Sequence, residues 1–228
     1  MSDYVFAAPP QAAAPIVGGK KFPVRRIFCV GQNYAAHARE MGGDPTREAP
    51  FFFTKPADAV VIDGADAPYP SLTKNLHHEI ELVVAIGTGG TNIPADKALD
   101  HIYGYAVGLD LTRRDLQAAA RENKKPWDMS KGFDFSAPIG AIQPAAQIGH
   151  PAKGRIALTV NGAVKQDGDL ADLIWSVPEI VAALSTYVAL APGDLIFTGT
   201  PSGVGPLVKG DILVGEIAGV GEVRTKIV

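Results

Sequence analysis

The segment Asn75-Leu76-His77-His78-Glu79-Ile80-Glu81-Leu82-Val83-Val84 carries the residue types with the clearest chemical use. In an extended strand, side chains alternate between faces, so His77, Glu79 and Glu81 share one face and Ile80, Leu82 and Val84 the other. Val83 and Ala85 continue the acidic face as apolar, so that face is expected to be buried too. Two carboxylates on a buried face are costly unless a cation or hydrogen-bond donors satisfy them. A hard divalent ion such as Mg²⁺ takes oxygen ligands of this kind. The plainer alternative is an edge strand with its acids in water. A third acid, Asp110, ends the apolar run Gly104–Leu109, where it is either a functional group or an ordinary helix cap.

Other groups are open to two readings. His37 and Glu40 stand at i, i+3, which suits a base with an orienting carboxylate and equally a surface ion pair. Arg114 and Gln117 have the same spacing; they could grip a carboxylate together or lie on a solvated helix face. Lys131, four residues after Trp127, is ambiguous by pattern alone. The stretch Thr198-Gly199-Thr200-Pro201-Ser202-Gly203 lacks the lysine of a phosphate-binding loop, and Ser202 is not in a nucleophile elbow. It is either a strand connection or a loop whose N–H groups and Thr200 hydroxyl face a ligand. His78-Glu79-Ile80-Glu81-Leu82 begins like a zinc-protease motif, but Leu82 stands where the second histidine is required.

The elements that must position these groups are mostly strands. Extended runs are expected at Arg25–Val30, Phe51–Lys55, Glu79–Ile86, Tyr103–Leu109, Asp194–Thr198, Asp211–Ile217 and Gly221–Ile227. Ile156–Val160 and Ala163–Gln166 flank Asn161-Gly162, a type I′ hairpin signal. Helices are expected at Asn33–Met41, stopping at Gly42-Gly43, and at Pro94–His101. A third is expected at Thr112–Asn123, capped through Thr112 and Asp115, and a fourth at Ile180–Tyr187 after the capping box Ser176-Val177-Pro178-Glu179. The order is not βαβα, which argues against a doubly wound nucleotide-binding sheet. Residues 1–24 are expected as a short extended segment and 25–228 as a single domain.

Composition narrows the partners. The 228 residues include 21 basic and 24 acidic side chains, net −3, which disfavours nucleic acid. Cys29 is the sole cysteine and sits in apolar Ile27-Phe28-Cys29-Val30, so no intrachain disulfide forms and a reducing, cytoplasmic setting is expected. MSDYVFAAPP has no basic n-region or apolar core and is not expected to act as a secretory signal. The longest apolar stretch, Ile180–Ala191, falls short of the ~18 residues that suggest a membrane span.

Several segments in chain order resemble the fumarylacetoacetate hydrolase family. They are Gly31-Gln32-Asn33-Tyr34, Lys55-Pro56, His77 to Leu82, Gly108-Leu109-Asp110, Lys131-Gly132-Phe133 and Thr198-Gly199-Thr200-Pro201. The resemblance runs from about Arg25 to the C-terminus and implies a β-rich α+β fold, a mixed β-sheet roll of the family's C-terminal-domain type with a few short helices, usually a homodimer. It implies Glu79, Glu81 and Asp110 as ligands of Mg²⁺ or Mn²⁺, with Ca²⁺ able to stand in within crystals. His37 and Glu40 match the catalytic dyad, on a segment that orders over bound ligand in relatives. Lys131 matches the active-site lysine, and Arg114, Gln117 and Thr200 match substrate contacts. Gln32 stands where many relatives have Arg, and the long N-terminal domain of the eukaryotic enzyme is not expected. The function implied is hydrolysis of the C–C bond of a 2,4-diketo acid, an acylpyruvate. The best match is 3-fumarylpyruvate, cleaved to fumarate and pyruvate in gentisate and aromatic-compound catabolism. The partner is thus a small molecule, with neither nucleic acid nor membrane involved. Alternatives within the family are oxaloacetate decarboxylation and diene or enol isomerisation. A non-catalytic metal-stabilised binding protein would need the carboxylates but not His37.

Overall fold

The computed structural model describes residues 4–40, 48–62 and 64–228. The chain opens with strands β1 (Ala13–Pro15), β2 (Lys21–Pro23) and β3 (Arg26–Val30), helix α1 (Ala35–Glu40), β4 (Phe52–Lys55) and β5 (Val60–Ile62). The acidic segment follows as β6 (Leu76–His78) and β7 (Ile80–Ile86), then β8 (Ile102–Leu109), β9 (Thr112–Arg113), α2 (Arg114–Glu122) and α3 (Asp128–Lys131). Next come β10 (Ala137–Ile139), β11 (Gln143–Pro144), α4 (Ala145–Ile148), β12 (Arg155–Val160), β13 (Ala163–Asp169) and α5 (Val177–Tyr187). Strands β14 (Asp194–Phe197), β15 (Gly205–Leu207), β16 (Ile212–Ile217) and β17 (Gly221–Lys226) end it.

Eight strands make one mixed sheet in the order β4-β3-β14-β7-β8-β10-β5, with β11 also paired to β8. Strand β14 runs parallel to β3 and β10 parallel to β5, while β7 is antiparallel to both its neighbours. Both faces of β7 are covered, so the strand is apolar throughout except at Glu81. Ile80, Leu82, Val84 and Ile86 enter one core with Leu158 and Ile180; Val83 and Ala85 enter a second with Ile27, Cys29 and Phe197. Glu81 therefore points into the second, interior face. A four-stranded antiparallel sheet, β13-β12-β16-β17, supplies Leu158, Leu213 and Val223 to the first core. The hairpin β1–β2 seats Ala14, Phe22 and Val24 in the second. This is the β-rich mixed-sheet roll with few short helices that the resemblance implied. No helix among the described residues is long and apolar enough to cross a membrane.

Local signals were met to different degrees. Asn161 and Gly162 have φ of 52° and 81°, both positive as a type I′ turn requires. Glu179 accepts from the Ser176 N–H at 2.9 Å and hydroxyl at 2.7 Å, capping α5. The expected strand Glu79–Ile86 instead starts at Ile80, because β6 leaves the large sheet to pair with β9 and β15 and Glu79 spans the gap. Ala95–His101 is a 3₁₀ helix. Thr112 does not cap α2: it lies in β9, its hydroxyl donates to the Asp110 carbonyl at 3.1 Å, and the helix starts at Arg114. Asp115 instead accepts from the Thr73 hydroxyl at 2.6 Å and the Lys74 N–H at 2.9 Å. The expected helix stop at Gly42-Gly43 lies outside the described residues.

Candidate active site

Pairing of β7 with β8 brings the three acids together. Ile80 opposes Leu109 and Glu81 opposes Gly108, and the Asp110 N–H donates to the Glu79 carbonyl at 2.8 Å. Their carboxylate oxygens lie within 4.8 Å of one another, with Glu79 4%, Glu81 1% and Asp110 0% exposed. So much negative charge away from water demands cations. Lys131, at the end of α3, places its ammonium 2.7 Å from Glu79 Oε2 and 2.7 Å from Asp110 Oδ2. Arg114, at the start of α2, pairs with the other Glu79 oxygen. Lys55 closes the ring from β4, 2.8 Å from Asp110 Oδ1, and donates to the carbonyls of Leu111 and Lys131.

Burial pushes the Glu79 carboxyl up, but Lys131 and Arg114 outweigh it and hold it well below the usual carboxylate range. Glu81 goes the other way: burial, then the charges of Asp110 and Glu79, push it well above. Lys131 loses basicity to burial and regains more from Asp110 and Glu79, so it stays an ammonium. The donor set fits a hard divalent cation. Three oxygen ligands converge, and among the described residues Asp110 Oδ1 has an ion-pair neighbour but accepts no hydrogen bond, while Glu81 has only the Gly199 N–H at 2.7 Å. Mg²⁺ or Mn²⁺ suits such ligands.

A cleft opens above this floor, lined by His37, Glu79, Glu81, Arg114, Gln117, Lys131 and Thr200, with Val30, Phe53 and Trp127 as its apolar side. Seven of the nine residues singled out in the sequence thus meet in one place. Asp110 lies beneath, and Glu40 lies outside, its side chain one-third exposed. His37 Nδ1 is 3.1 Å from Glu40 Oε2, and the Glu40 carboxylate accepts the Gly203 N–H at 3.1 Å. An N–H at Nδ1 donating to Glu40 leaves Nε2 as the basic nitrogen. Each Arg114 nitrogen donates once: besides Glu79, to Gln117 Oε1 and, at 3.4 Å, to His77 Nδ1. Burial and Arg114 together lower His77 to about 4, so it is neutral and its Nε2–H donates to Asn75 at 2.9 Å.

Three residues that hold the site were given no role from sequence. Lys55 is one. It ends the run Phe51-Phe52-Phe53-Thr54 and opens the Lys55-Pro56 segment of the family resemblance, but neither mark assigns it a partner. Asn33 donates to the Thr198 carbonyl at 2.8 Å and accepts the Trp175 N–H at 2.8 Å, pinning the loop where Gly199 has φ 98° and any Cβ would meet Asn33. Gln166 is 1% exposed; its amide donates to Thr200 Oγ1 at 2.7 Å and the Pro201 carbonyl at 2.8 Å. Its oxygen accepts from His78 Nδ1 at 3.0 Å and the Ile80 N–H at 3.1 Å, the two residues flanking Glu79. A bulge in the β12–β13 ladder, where Leu158 faces Gln166 but Thr159 faces Val164, turns Gln166 inward. Nothing in Lys165-Gln166-Asp167 signals it.

Comparison with known proteins agrees with this geometry. The family model described as fumarylacetoacetate (FAA) hydrolase C-terminal matches residues 26–228. The chain is 47% identical over 180 residues to a fumarylpyruvate hydrolase of a Ralstonia species, covering 79% of this chain and 93% of that one. It is 40% identical over 203 residues to the mitochondrial oxaloacetate tautomerase of Mus musculus, covering 89% of this chain and 91% of that one. The crystal structure of fumarylpyruvate hydrolase from Pseudomonas aeruginosa with Mn²⁺ and pyruvate superposes with a TM-score of 0.97 at 54% identity, covering 99% of each chain. A buried carboxylate floor on this roll, matched along nearly the whole chain, has one meaning: this chain belongs to the fumarylacetoacetate hydrolase family.

Proposed function

We propose that this protein is a divalent-metal-dependent acylpyruvate hydrolase with 3-fumarylpyruvate as its substrate, acting through residues 25–228 as a cytoplasmic homodimer. The observation that carries the proposal is the placement of His37 on the cleft lined by the Glu79 and Glu81 carboxylates, with the Asp110 carboxylate grouped with them beneath. Glu79, Glu81 and Asp110 would hold Mg²⁺ or Mn²⁺, which when bound supplies Lewis acidity toward a 2-oxo acid. The chain's own groups do the rest. His37, held in one tautomer by Glu40, takes a proton from water as the oxygen attacks the distal acyl carbonyl. Lys131 and the Thr200 hydroxyl are donors for negative charge that develops on the substrate. The bond between the acyl carbon and the pyruvyl methylene breaks, and the methylene takes the proton held at His37, giving a carboxylic acid and pyruvate. Arg114 and Gln117 offer the carboxylate end of the substrate a polar wall.

A second reading is proton transfer at oxaloacetate, which the similarity to a mitochondrial tautomerase favours. It would need the base but no water. Purified protein with Mg²⁺, assayed against fumarylpyruvate, acetylpyruvate and oxaloacetate, separates the two. Loss of diketo-acid absorbance with stoichiometric pyruvate supports hydrolysis. Rapid oxaloacetate conversion with no acylpyruvate turnover overturns it.

A further inference from the structure

Of the three cations around the floor, Lys55 is held differently from the other two. Lys131 donates to Glu79 Oε2 and to Asp110 Oδ2, each at 2.7 Å, and Arg114 donates to Glu79 Oε1. Each of those three oxygens therefore has a hydrogen bond. Lys55 donates to backbone instead, to the Leu111 carbonyl at 3.2 Å and to the Lys131 carbonyl. Its ammonium lies 2.8 Å from Asp110 Oδ1, yet among the described residues that oxygen accepts no hydrogen bond. Lys55 thus supplies Asp110 with a counter-charge and leaves the Oδ1 lone pairs open. The ammonium is also fixed. Its side chain is fully buried, tied to two carbonyls, with the Phe133 ring centroid 5.6 Å away.

We propose that Lys55 sets how tightly the floor holds its divalent cation: it keeps the ion exchangeable and makes firm binding depend on an anionic ligand that arrives with it. This rests on Glu79, Glu81 and Asp110 as the metal ligands, and not on which acid is cleaved. Any cation taken up at Asp110 Oδ1 meets the Lys55 ammonium on the same oxygen, and like charges repel strongly in a low-dielectric interior. The three carboxylates and the three cations sum to zero formal charge. An added Mg²⁺ or Mn²⁺ then leaves two positive charges unbalanced and away from water, which is costly. A dianion such as oxalate cancels both. A floor without Lys55 would carry one excess positive charge rather than two and would hold the bare ion more firmly. Lys55 is therefore a positioning residue that acts through Asp110.

The test is titration of Mn²⁺ into the metal-free protein, without anion and with saturating oxalate, reading the free aquo ion by electron paramagnetic resonance. The wild type should bind Mn²⁺ roughly tenfold more tightly with oxalate, and oxalate should gain by the same factor from Mn²⁺. Lys55→Met removes the charge, and Lys55→Gln removes it while keeping N–H groups for the carbonyls. Both should bind bare Mn²⁺ roughly tenfold more tightly than the wild type and gain less from oxalate. A merely structural lysine gives the opposite result, weaker binding by a loosened floor. Wild-type affinity unmoved by oxalate overturns the proposal, and so do folded variants that bind bare Mn²⁺ no better than the wild type. A variant that folds only when Mn²⁺ is supplied supports it, because the metal then neutralises Asp110. If neither variant folds, the wild-type comparison decides alone. No Mn²⁺ uptake under either condition removes the metal site itself. Oxalate-linked uptake without acylpyruvate cleavage sinks the hydrolase reading and keeps the role of Lys55.

Discussion

The two sides of the cleft are built differently. The floor comes from β7 and β8 in the middle of the largest sheet, with core on both faces, three cations paired with Glu79 and Asp110, and Glu81 accepting the Gly199 N–H. The His37–Glu40 side comes from a six-residue helix whose Glu40 is held from outside by the Gly203 N–H. Gly203 itself has φ 96° and backs onto the Lys165 carbonyl, so the loop cannot take a side chain there without moving. The floor's charges are therefore part of what holds the protein folded, whereas the dyad can be altered with the frame left standing. A rigid base can hold a cation and a substrate end while a lighter wall handles protons.

The largest effect should come from attacking the floor. Asp110→Ala takes the ion-pair partner from buried Lys55 and leaves Lys131 with Glu79 alone, and leaving a buried charge uncompensated costs about 3–5 kcal/mol. Urea unfolding should show that loss, and calorimetry should show Mg²⁺ affinity reduced sharply; a stable Asp110→Ala protein would erase the contrast drawn above. On the other side, His37→Ala should lower acylpyruvate kcat by ~10²–10⁴-fold. Its urea midpoint and Mg²⁺ affinity should stay close to wild type. Equal destabilisation by the two variants would show that both sides are structural.

Gln166 links the two sides, since it grips both the flanks of Glu79 and the Thr200 loop. Gln166→Ala leaves several buried donors and acceptors unmatched and should cost about 1–3 kcal/mol, with weaker Mn²⁺ binding measured by titration. Unchanged metal affinity at reduced stability would confine its role to the frame.

Acid should act on the floor's margin through His77 and His78. Burial and Arg114 hold His77 down at about 4, and burial outweighs the Gln166 hydrogen bond to lower His78 as well. Both are neutral when folded and bind protons more readily when unfolded, so their contribution is present above the ordinary histidine value of 6.5. It is lost as pH falls from there toward about 4. Urea midpoints at about pH 7.5 and about pH 5 should show the drop, and His77→Asn should flatten part of it. The smallest effect concerns Cys29. Burial, reinforced by the Asp110 charge, pushes its thiol up. Iodoacetamide should leave the native protein unmodified and react once urea unfolds it. Rapid labelling of the native chain would mean that the floor opens far more readily than its packing suggests.

Much of the site was readable from linear order. Glu79 and Glu81 two apart in an apolar run, Asp110 at the end of the next apolar run and His37 with Glu40 one helical turn apart are statements about periodicity. Backbone geometry turns such periodicity directly into faces. Asn161-Gly162 and the Ser176 capping box are similarly local, because the hydrogen bonds they create close within a few residues. Helix α2 misled at its start because Thr112 was claimed by pairing with β6, a contact that no window around Thr112 contains.

The remainder is long-range. Lys55 reaches Leu111 across 56 residues, Gln166 reaches Ile80 across 86, and Asn33 reaches Trp175 across 142. None of these polar residues has a local reason to be buried. Each is satisfied only where strands from distant parts of the chain come together, and for Gln166 only because a bulge reverses which way it faces. The residue types that could bind a cation and move a proton were already present in the linear order. Whether their charges would be balanced, and so tolerated out of water, depended on which distant partners packing delivered, because the free energy of a buried charge is set by its neighbours in space.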